Sequence, residues 1–514
     1  MSLPTPTSSS PSLSPIVHST KLAMGSEKDS EPAFEHVSDL DKDSHGKNVL
    51  IHAKLYRKID LRLLPLVFLC YSLGFLDKVV INYANLMGMQ KTLQMKGQEF
   101  SWLATAFYIA YGLAEFPQGL LLQIYSPAKV LAVNIICCGV LLCCTAAVHS
   151  FTEILVVRIL LGACEAVIAP ALMMIISQWY TKRQATPRTG VWVSGLGFGQ
   201  ILGGLIALAG LNSTAEGSMP GWKIMFIAIG VLNIAVACMA LLWLPDTVDT
   251  APFVTELEKK AIQTALVLDQ AGTGRKVIHY PSIVEALLDV HSWLLFLLAV
   301  LSVLPGGAIG TFSGVMFAGF GYTAKESAAL NIPTGAVAIA ATLFGTFIVL
   351  KNTPRWLGLF SMVIPATIGG GLLSFYQGGK AGLLAGMYLI NFDVAAIALV
   401  VSLAGVNTQG YTKKIAVNVM VLVGASIGSI IGPQTFQESE APRYISAKIA
   451  IFAANVAILA LCILLRLLYG YRNGKTARRR EEELAALKDG TLSPAREEPM
   501  DLTDRTNPSF RYVY

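Results

Sequence analysis

Charge is scarce in this chain. Of 514 residues only 14% are Asp, Glu, Lys or Arg and 54% are hydrophobic, whereas an average soluble domain carries about 25% charged residues. A soluble fold of this composition could not cover its own surface, so the deficit leaves a protein dissolved in lipid. Cysteine is missing from the arrangements that carry chemistry. Cys70, Cys137, Cys138, Cys143, Cys144, Cys164, Cys238 and Cys462 all fall in apolar stretches. They lack the polar, paired spacing of a disulfide framework or a zinc site and read as small packing residues. No nucleotide-binding loop, metal cluster or nucleophile constellation is legible. An enzyme, a cofactor and a resident metal are therefore not expected. The net charge of +6 is unremarkable, and no nucleic-acid partner is expected.

Long apolar runs are abundant. Twelve stretches of bilayer length cover 62–86, 100–124, 128–148, 152–179, 189–211, 223–244, 291–319, 328–350, 356–376, 381–406, 413–432 and 445–468. The expected class is an all-α membrane protein, its twelve transmembrane helices forming two six-helix bundles at 59–245 and 291–468. A polar linker, 246–290, separates them, and Glu256, Glu258, Lys259 and Lys260 predict an amphipathic helix within it. Residues 1–50 open with no secretory signal and are rich in Ser, Pro, Asp and Lys, so 1–58 reads as a solvated, disordered tail. Residues 469–514 form a second polar tail, whose Arg478–Glu483 run reads as a short exposed helix.

Loop charge predicts orientation. Lys54, Arg57, Lys58, Arg62, Lys129, Lys182, Arg183, Arg188, Lys259, Lys260, Arg275, Lys276, Lys351, Arg355, Lys413 and Lys414 share one side. That side is the cytoplasm by the positive-inside rule, which makes both termini cytoplasmic. An Asn212-Ser213-Thr214 glycosylation acceptor falls on the other side, as a glycoprotein requires.

The two halves repeat one another. The fifth span carries glycines at 195, 199 and 203, the eleventh at 424, 428 and 432. Glycines four apart line one helix face and let two backbones approach closely, and six spans between the copies is what duplicated halves demand. Basic, Pro-bearing turns recur likewise, Ser126-Pro127-Ala128-Lys129 after the second span and Thr353-Pro354-Arg355-Trp356 after the eighth.

Deep charges are few: Asp77 and Lys78 in the first span, Glu115 in the second, Arg158 and Glu165 in the fourth, and Asp393 in the tenth. Each costs roughly 2.5–3.5 kcal/mol on insertion scales and persists only against a partner or a wet cavity. Arg158 and Glu165 are seven residues apart, two turns, and share a face. Arg158 either grips a substrate anion bidentately or neutralises Glu165 or Asp77. Glu165 either carries a proton across the membrane or stays the ionised partner of Arg158. Glu115, followed by Pro117, is a second proton candidate or a helix-contact hydrogen bonder. Asp77 and Lys78 are adjacent and point apart, so one meets another helix and one reaches the cavity. Lys78 is an auxiliary anion contact, Asp77 a coupling candidate, and Asp393 either a structural anchor or a coupling site. Trp192, Phe198 and Gln200 are candidates for shaping the pocket.

Several motifs resemble one family. Arg158, Gly162-Ala163-Cys164-Glu165-Ala166, Pro170, Trp179-Tyr180 and Arg188 resemble the fourth-helix signature of the anion:cation symporters within the major facilitator superfamily. The likeness is nearest to the fungal allantoate permease branch. Phe75-Leu76-Asp77-Lys78 resembles that branch's first-helix motif, with lysine where arginine is commoner. Leu244-Pro245-Asp246, Gly410-Tyr411-Thr412-Lys413-Lys414, Gly428 to Gln434 and Ala441-Pro442-Arg443-Tyr444 resemble its later motifs. Two patterns depart: Gln123 stands where the superfamily's loop motif has Asp, and Gln200 where its antiporter motif has proline. The resemblance implies the major facilitator fold, with helices one, four, seven and ten along a central path. It also implies proton-coupled uptake of a small organic carboxylate or vitamin-like anion by a monomer in the lipid bilayer, in the plasma membrane. Export of an acidic metabolite and nutrient sensing through the tails are the other readings.

Overall fold

The computed structural model describes residues 33–213, 219–270, 279–351, 353–488, 502–507 and 510–513. It separates into two units. The first, Met1–Lys58, departs from the disordered tail expected over its whole length, since it is helical from Ala33 on; residues 1–32 lie outside the described residues. The second, Ile59–Tyr514, holds the bundle. No strand occurs among the described residues.

Among the described residues, eleven helices are long and apolar enough to cross a membrane: α1 (Lys54–Leu86), α3 (Pro127–Thr145), α4 (Phe151–Trp179), α5 (Lys182–Leu211), α6 (Gly221–Trp243), α7 (Val290–Gly319), α8 (Ala324–Ile348), α9 (Arg355–Phe375), α10 (Lys380–Asn407), α11 (Tyr411–Gln434) and α12 (Ile445–Glu482). The expected second span is present as α2 (Glu99–Ile124), 26 residues long. It is less apolar than the rest because Tyr108, Tyr111, Glu115, Gln118 and Gln123 interrupt its hydrophobic run. The linker contains the expected helix, Glu256–Gln270, and a second one, Tyr280–Leu288. Arg275 and Lys276 lie outside the described residues. The run at Arg478 is no separate surface helix, since α12 continues unbroken to Lys488.

Local chemistry starts the helices where they start. Ser150 accepts from Glu153 N at 3.4 Å while Glu153 Oε2 accepts from His149 N at 2.7 Å, opening α4. Thr181 and Gln184 form a reciprocal capping box at α5, and Thr323 with Glu326 does the same at α8. Each box satisfies amides that the first helical turn leaves without partners.

The glycine stripes decide the packing. A Cβ on Gly199 would sit 2.3 Å from the Ser72 carbonyl oxygen of α1, and one on Gly428 would sit 2.2 Å from the Val300 carbonyl oxygen of α7. Their neighbours Gly195 and Gly203 face Ser72 and Leu76, as Gly424 and Gly432 face Phe296 and Leu304. The α1–α5 pair is thus repeated as α7–α11. Likewise α2 packs on α4, α3 on α6 and α9 on α12. Between the halves α5 meets α8 and α2 meets α11. Gly197 and Gly335 are so close that a Cβ on either would reach 2.3–2.4 Å from the other's carbonyl oxygen.

The halves close at the end opposite the linker. Ser101 donates to the Phe436 carbonyl at 3.2 Å, Gln434 to Thr105 at 2.7 Å, and Asn82 to Ser313 at 2.8 Å. The Phe100 and Phe312 rings meet edge-on, their centres 5.2 Å apart. A cavity of about 610 Å³ lies between α2 and α11, lined by Gly112, Glu115, Gly119, Val423 and Ile427 among others. All eight cysteines are free.

Candidate functional site

Three residues of α1 open the site. Tyr71, Phe75 and Lys78 are half-buried, while every other residue from Cys70 to Ala84 is buried. Their spacing of four and three puts them on one face. Lys78 Nζ lies 4.5 Å from the centre of the Tyr111 ring on α2 and 4.0 Å from Glu165 Oε2 on α4, its side chain 26% exposed. Asp77 points the other way and is fully buried. Its Oδ1 accepts from Asn233 of α6 at 3.0 Å.

Arg158 and Glu165 stand behind that surface. Their helix is pressed against α2 at Gly162, where a Cβ would meet the Phe107 carbonyl oxygen at 2.4 Å. Arg158 is 2% exposed and Glu165 1%. Arg158 Nη1 donates to the backbone carbonyl of Asp77 at 3.2 Å, and its guanidinium centre sits 5.6 Å from the Phe226 ring. Among the described residues, Arg158 Nη2, Asp77 Oδ2 and both Glu165 oxygens have no hydrogen-bond partner. Ionised Glu165 therefore leans on the charge of Lys78 and Arg158 rather than on hydrogen bonds. Of the two deep cations, Lys78 keeps part of its side chain exposed, whereas Arg158 is buried where α1, α4 and α6 meet.

The remaining candidates divide. Glu115 is half-buried and lines the α2–α11 cavity, one turn from Tyr111. Trp192 is buried with its Nε1 unpaired among the described residues, its ring edge-on to Tyr71 at 4.7 Å. Phe198 packs on Phe68, ring centres 5.4 Å apart. Gln200 is buried, and its backbone carbonyl accepts from the Tyr83 hydroxyl at 3.0 Å. Asp393 lies apart, in a six-residue 3₁₀ stretch, Ile390–Ala395, that interrupts α10. It is buried and faces Asn455 of α12. The side chain of Asn212 and all of Thr214 lie outside the described residues.

Sequence reasoning passed over two groups. The first is Tyr108 and Tyr111 of α2, which nothing along the chain distinguishes from other aromatics in apolar runs. The second group is at the linker end. Lys413 contacts Glu285 at 2.9 Å, Asp289 at 3.0 Å and Asp504 at 2.8 Å, while Arg472 pairs with Asp289. Tyr512 donates to Asp504 at 2.5 Å, and Val513 exchanges two hydrogen bonds with Asn407. Residues 502–507 and 510–513 form a strap over the ends of α7, α10, α11 and α12, not a free tail.

Two halves of repeated helix pairs, closed at one end and holding ionisable groups at mid-bundle, define a membrane transporter. The family model of the Major Facilitator Superfamily matches residues 67–433, and the chain belongs to that family as a multi-pass membrane protein, not an enzyme. An uncharacterised transporter of Schizosaccharomyces pombe is 36% identical over 95% of this chain and 94% of its own length. The thiamine pathway transporter THI73 of Saccharomyces cerevisiae is 35% identical over 90% of this chain and 86% of its own. An allantoate permease of the same yeast is 33% identical over 90% and 86%. Among solved structures, a bacterial homologue of the human lysosomal transporter Spinster, inward-facing and occupied, aligns with a TM-score of 0.56 at 17% identity, covering 78% of this chain and 94% of that one. A D-xylose–proton symporter aligns at 0.55 and 15%, covering 77% and 97%. These two share the fold.

Proposed function

We propose that the protein takes up a small organic carboxylate together with a proton, by alternating access of its two halves. The observation that carries this is the accessible Lys78 ammonium 4.0 Å from a buried Glu165 that accepts no hydrogen bond among the described residues. A substrate carboxylate and Glu165 compete for the same lysine. When the anion takes Lys78, the ionised Glu165 loses its nearest counter-charge and binds a proton. Anion and proton thereby favour one another's binding, a reciprocal coupling. The loaded site then carries the same net charge as the empty one, so that the halves rock about it in either state.

The linker end is the cytoplasmic side in this reading, with both termini there and the plasma membrane as the site of action. Similarity to an allantoate permease supports a carboxylate substrate. One proton with a monoanion moves no net charge, so the pH gradient alone drives it. A second proton on Glu115 would add about 2.3 kcal/mol per 100 mV. Asp77 and Arg158 hold the α1–α4–α6 seam, Trp192 and Gln200 the α1–α5 wall, and Asp393 the interior of the second half.

The test is Glu165→Gln in proteoliposomes with an imposed pH gradient. Exchange of labelled anion for unlabelled anion persists, while uphill accumulation and its pH dependence vanish. Wild-type accumulation with an unchanged pH profile would reject the coupling role. Accumulation directed out of the compartment facing the linker end would reverse the direction.

A further inference from the structure

We propose that the linker's second helix, Tyr280–Leu288, is a membrane anchor that lies in the headgroup region of the leaflet at the linker end, one apolar face turned into the lipid. The local sequence builds such a helix. Pro281 sits in its first turn, where a missing amide costs nothing, and Asp289, in an extended conformation, ends it before α7 begins. Tyr280, Val284, Leu287 and Leu288 are exposed, and steps of four, three and one keep them on one face. None is charged, and Tyr280 and Leu288 are 78% and 75% exposed. The other side is occupied by protein. Ala286 is buried, and Glu285 accepts from Lys413 at 2.9 Å and from Thr503 of the strap at 3.1 Å.

Its contacts lay the helix across the end of the bundle. The His279 amide donates to Thr412 at 3.0 Å, and six residues on Glu285 meets Lys413, the next residue of α11. A helix running alongside α11 would meet residues about six apart, whereas one crossing its first turn meets neighbours. At the far end Trp293, in the first turn of α7, donates its indole N–H to the Leu287 carbonyl at 2.7 Å. Continuity then identifies what covers the apolar face. Past Asp289 the exposed residues of α7 go on as Val290, Trp293 and Leu297. α7 meets the other half near its far end, at Gly310, Ser313 and Gly314, so an exposed apolar stripe in its first two turns faces lipid. The linker helix adjoins that stripe, with Tyr280 and Trp293 at the level where aromatic belts sit. In water its uncharged face would be an exposed apolar patch, whereas sunk about 5–10 Å into the headgroup boundary it is solvated by acyl chains. The linker's first helix, Glu256–Gln270, differs, since Glu256, Lys260, Gln263 and Thr264 are exposed there, the composition of a helix in water. Through Glu285 the anchor ties α11 and the strap to the membrane surface.

Fluorescence quenching tests this. A dansyl-bearing amino acid replaces Val284, Leu288 or, as the solvated control, Thr264, one at a time, in the full-length protein reconstituted into phosphatidylcholine vesicles. All three side chains are exposed, so the probe displaces no packed neighbour. Two quenchers are compared, a lipid carrying a nitroxide near its headgroup and aqueous iodide on both sides of the vesicle. The probes at 284 and 288 should lose fluorescence to the nitroxide lipid and keep it in iodide, while the probe at 264 does the reverse. Iodide quenching at 284 or 288 to the extent seen at 264 would leave the face in water and overturn the anchor. Protection of 284 and 288 from both quenchers would put protein over the face and overturn it equally. Nitroxide quenching at all three positions would make lipid contact a property of the whole linker and overturn its assignment to this helix.

Discussion

Lys78 and Arg158 are both cations at bilayer depth, and environment assigns them opposite work. Lys78 keeps part of its side chain open, whereas Arg158 spends a hydrogen bond on the Asp77 carbonyl and is covered by Phe226. Their substitutions should separate. Lys78→Gln raises KM or abolishes uptake with little change in thermal unfolding. Arg158→Gln takes a cation from buried Asp77 and leaves Glu165 with Lys78 alone, and destabilises the fold by about 3–5 kcal/mol, read as a lowered melting temperature in detergent. If Arg158→Gln melts like wild type and alters only affinity, Arg158 is the substrate's cation after all. These roles were half legible beforehand. That ionised groups in lipid need partners follows from composition alone, but which of two neighbours, Asp77 or Lys78, turns to the cavity depends on how α6 brings Asn233 to meet one of them.

At the scale of helices, the glycine stripes and the strap carry testable energies. Gly199→Ala and Gly428→Ala force a Cβ against backbone oxygens 2.3 and 2.2 Å away. Backbone cannot step aside as a side chain can, so each should cost at least about 1–3 kcal/mol. Gly119→Ala, with no atom within 4 Å, should be neutral and serves as the control. For the strap, Asp504→Asn removes a carboxylate from buried Lys413 and should lower stability by roughly 1.5–3 kcal/mol. Asp289 gives the same cluster a pH signature. Burial raises its carboxyl, but the Arg472 hydrogen bond and the Lys413 charge outweigh burial and hold it well below the ordinary carboxylate range. A lowered folded pKa contributes stability above the unfolded value, about 3.9, and that contribution fades as pH falls toward the folded value. Wild type should therefore lose stability below about pH 4, and Arg472→Gln should flatten that loss. The repeat of α1–α5 as α7–α11 was readable from spacing. The strap was not, because its partners lie from 39 to 218 positions away in the chain.

For the whole molecule, the question is how the halves move. They are joined opposite the linker, and a cavity lies between α2 and α11. If the proposed alternating access holds, closing that cavity is part of the motion. Gly119→Trp would place a wedge in the cavity and hold the two helices apart. Anion binding should survive while turnover falls roughly tenfold or more, as expected when one state of a two-state equilibrium is favoured. Unchanged turnover would mean that α2 and α11 need not approach.

Composition alone decided that this chain lives in lipid, because apolar backbone segments without charge have no other solvent. Span count, helix starts, the duplication and the handful of costly charges are likewise written locally, in runs, caps and four-residue spacings. Tertiary structure alone decided which ionisable groups are sealed and which are reachable, which rings surround Lys78, and that a C-terminal segment is stapled down. Those outcomes depend on distances between residues remote in sequence, and no period along the chain encodes a distance across it.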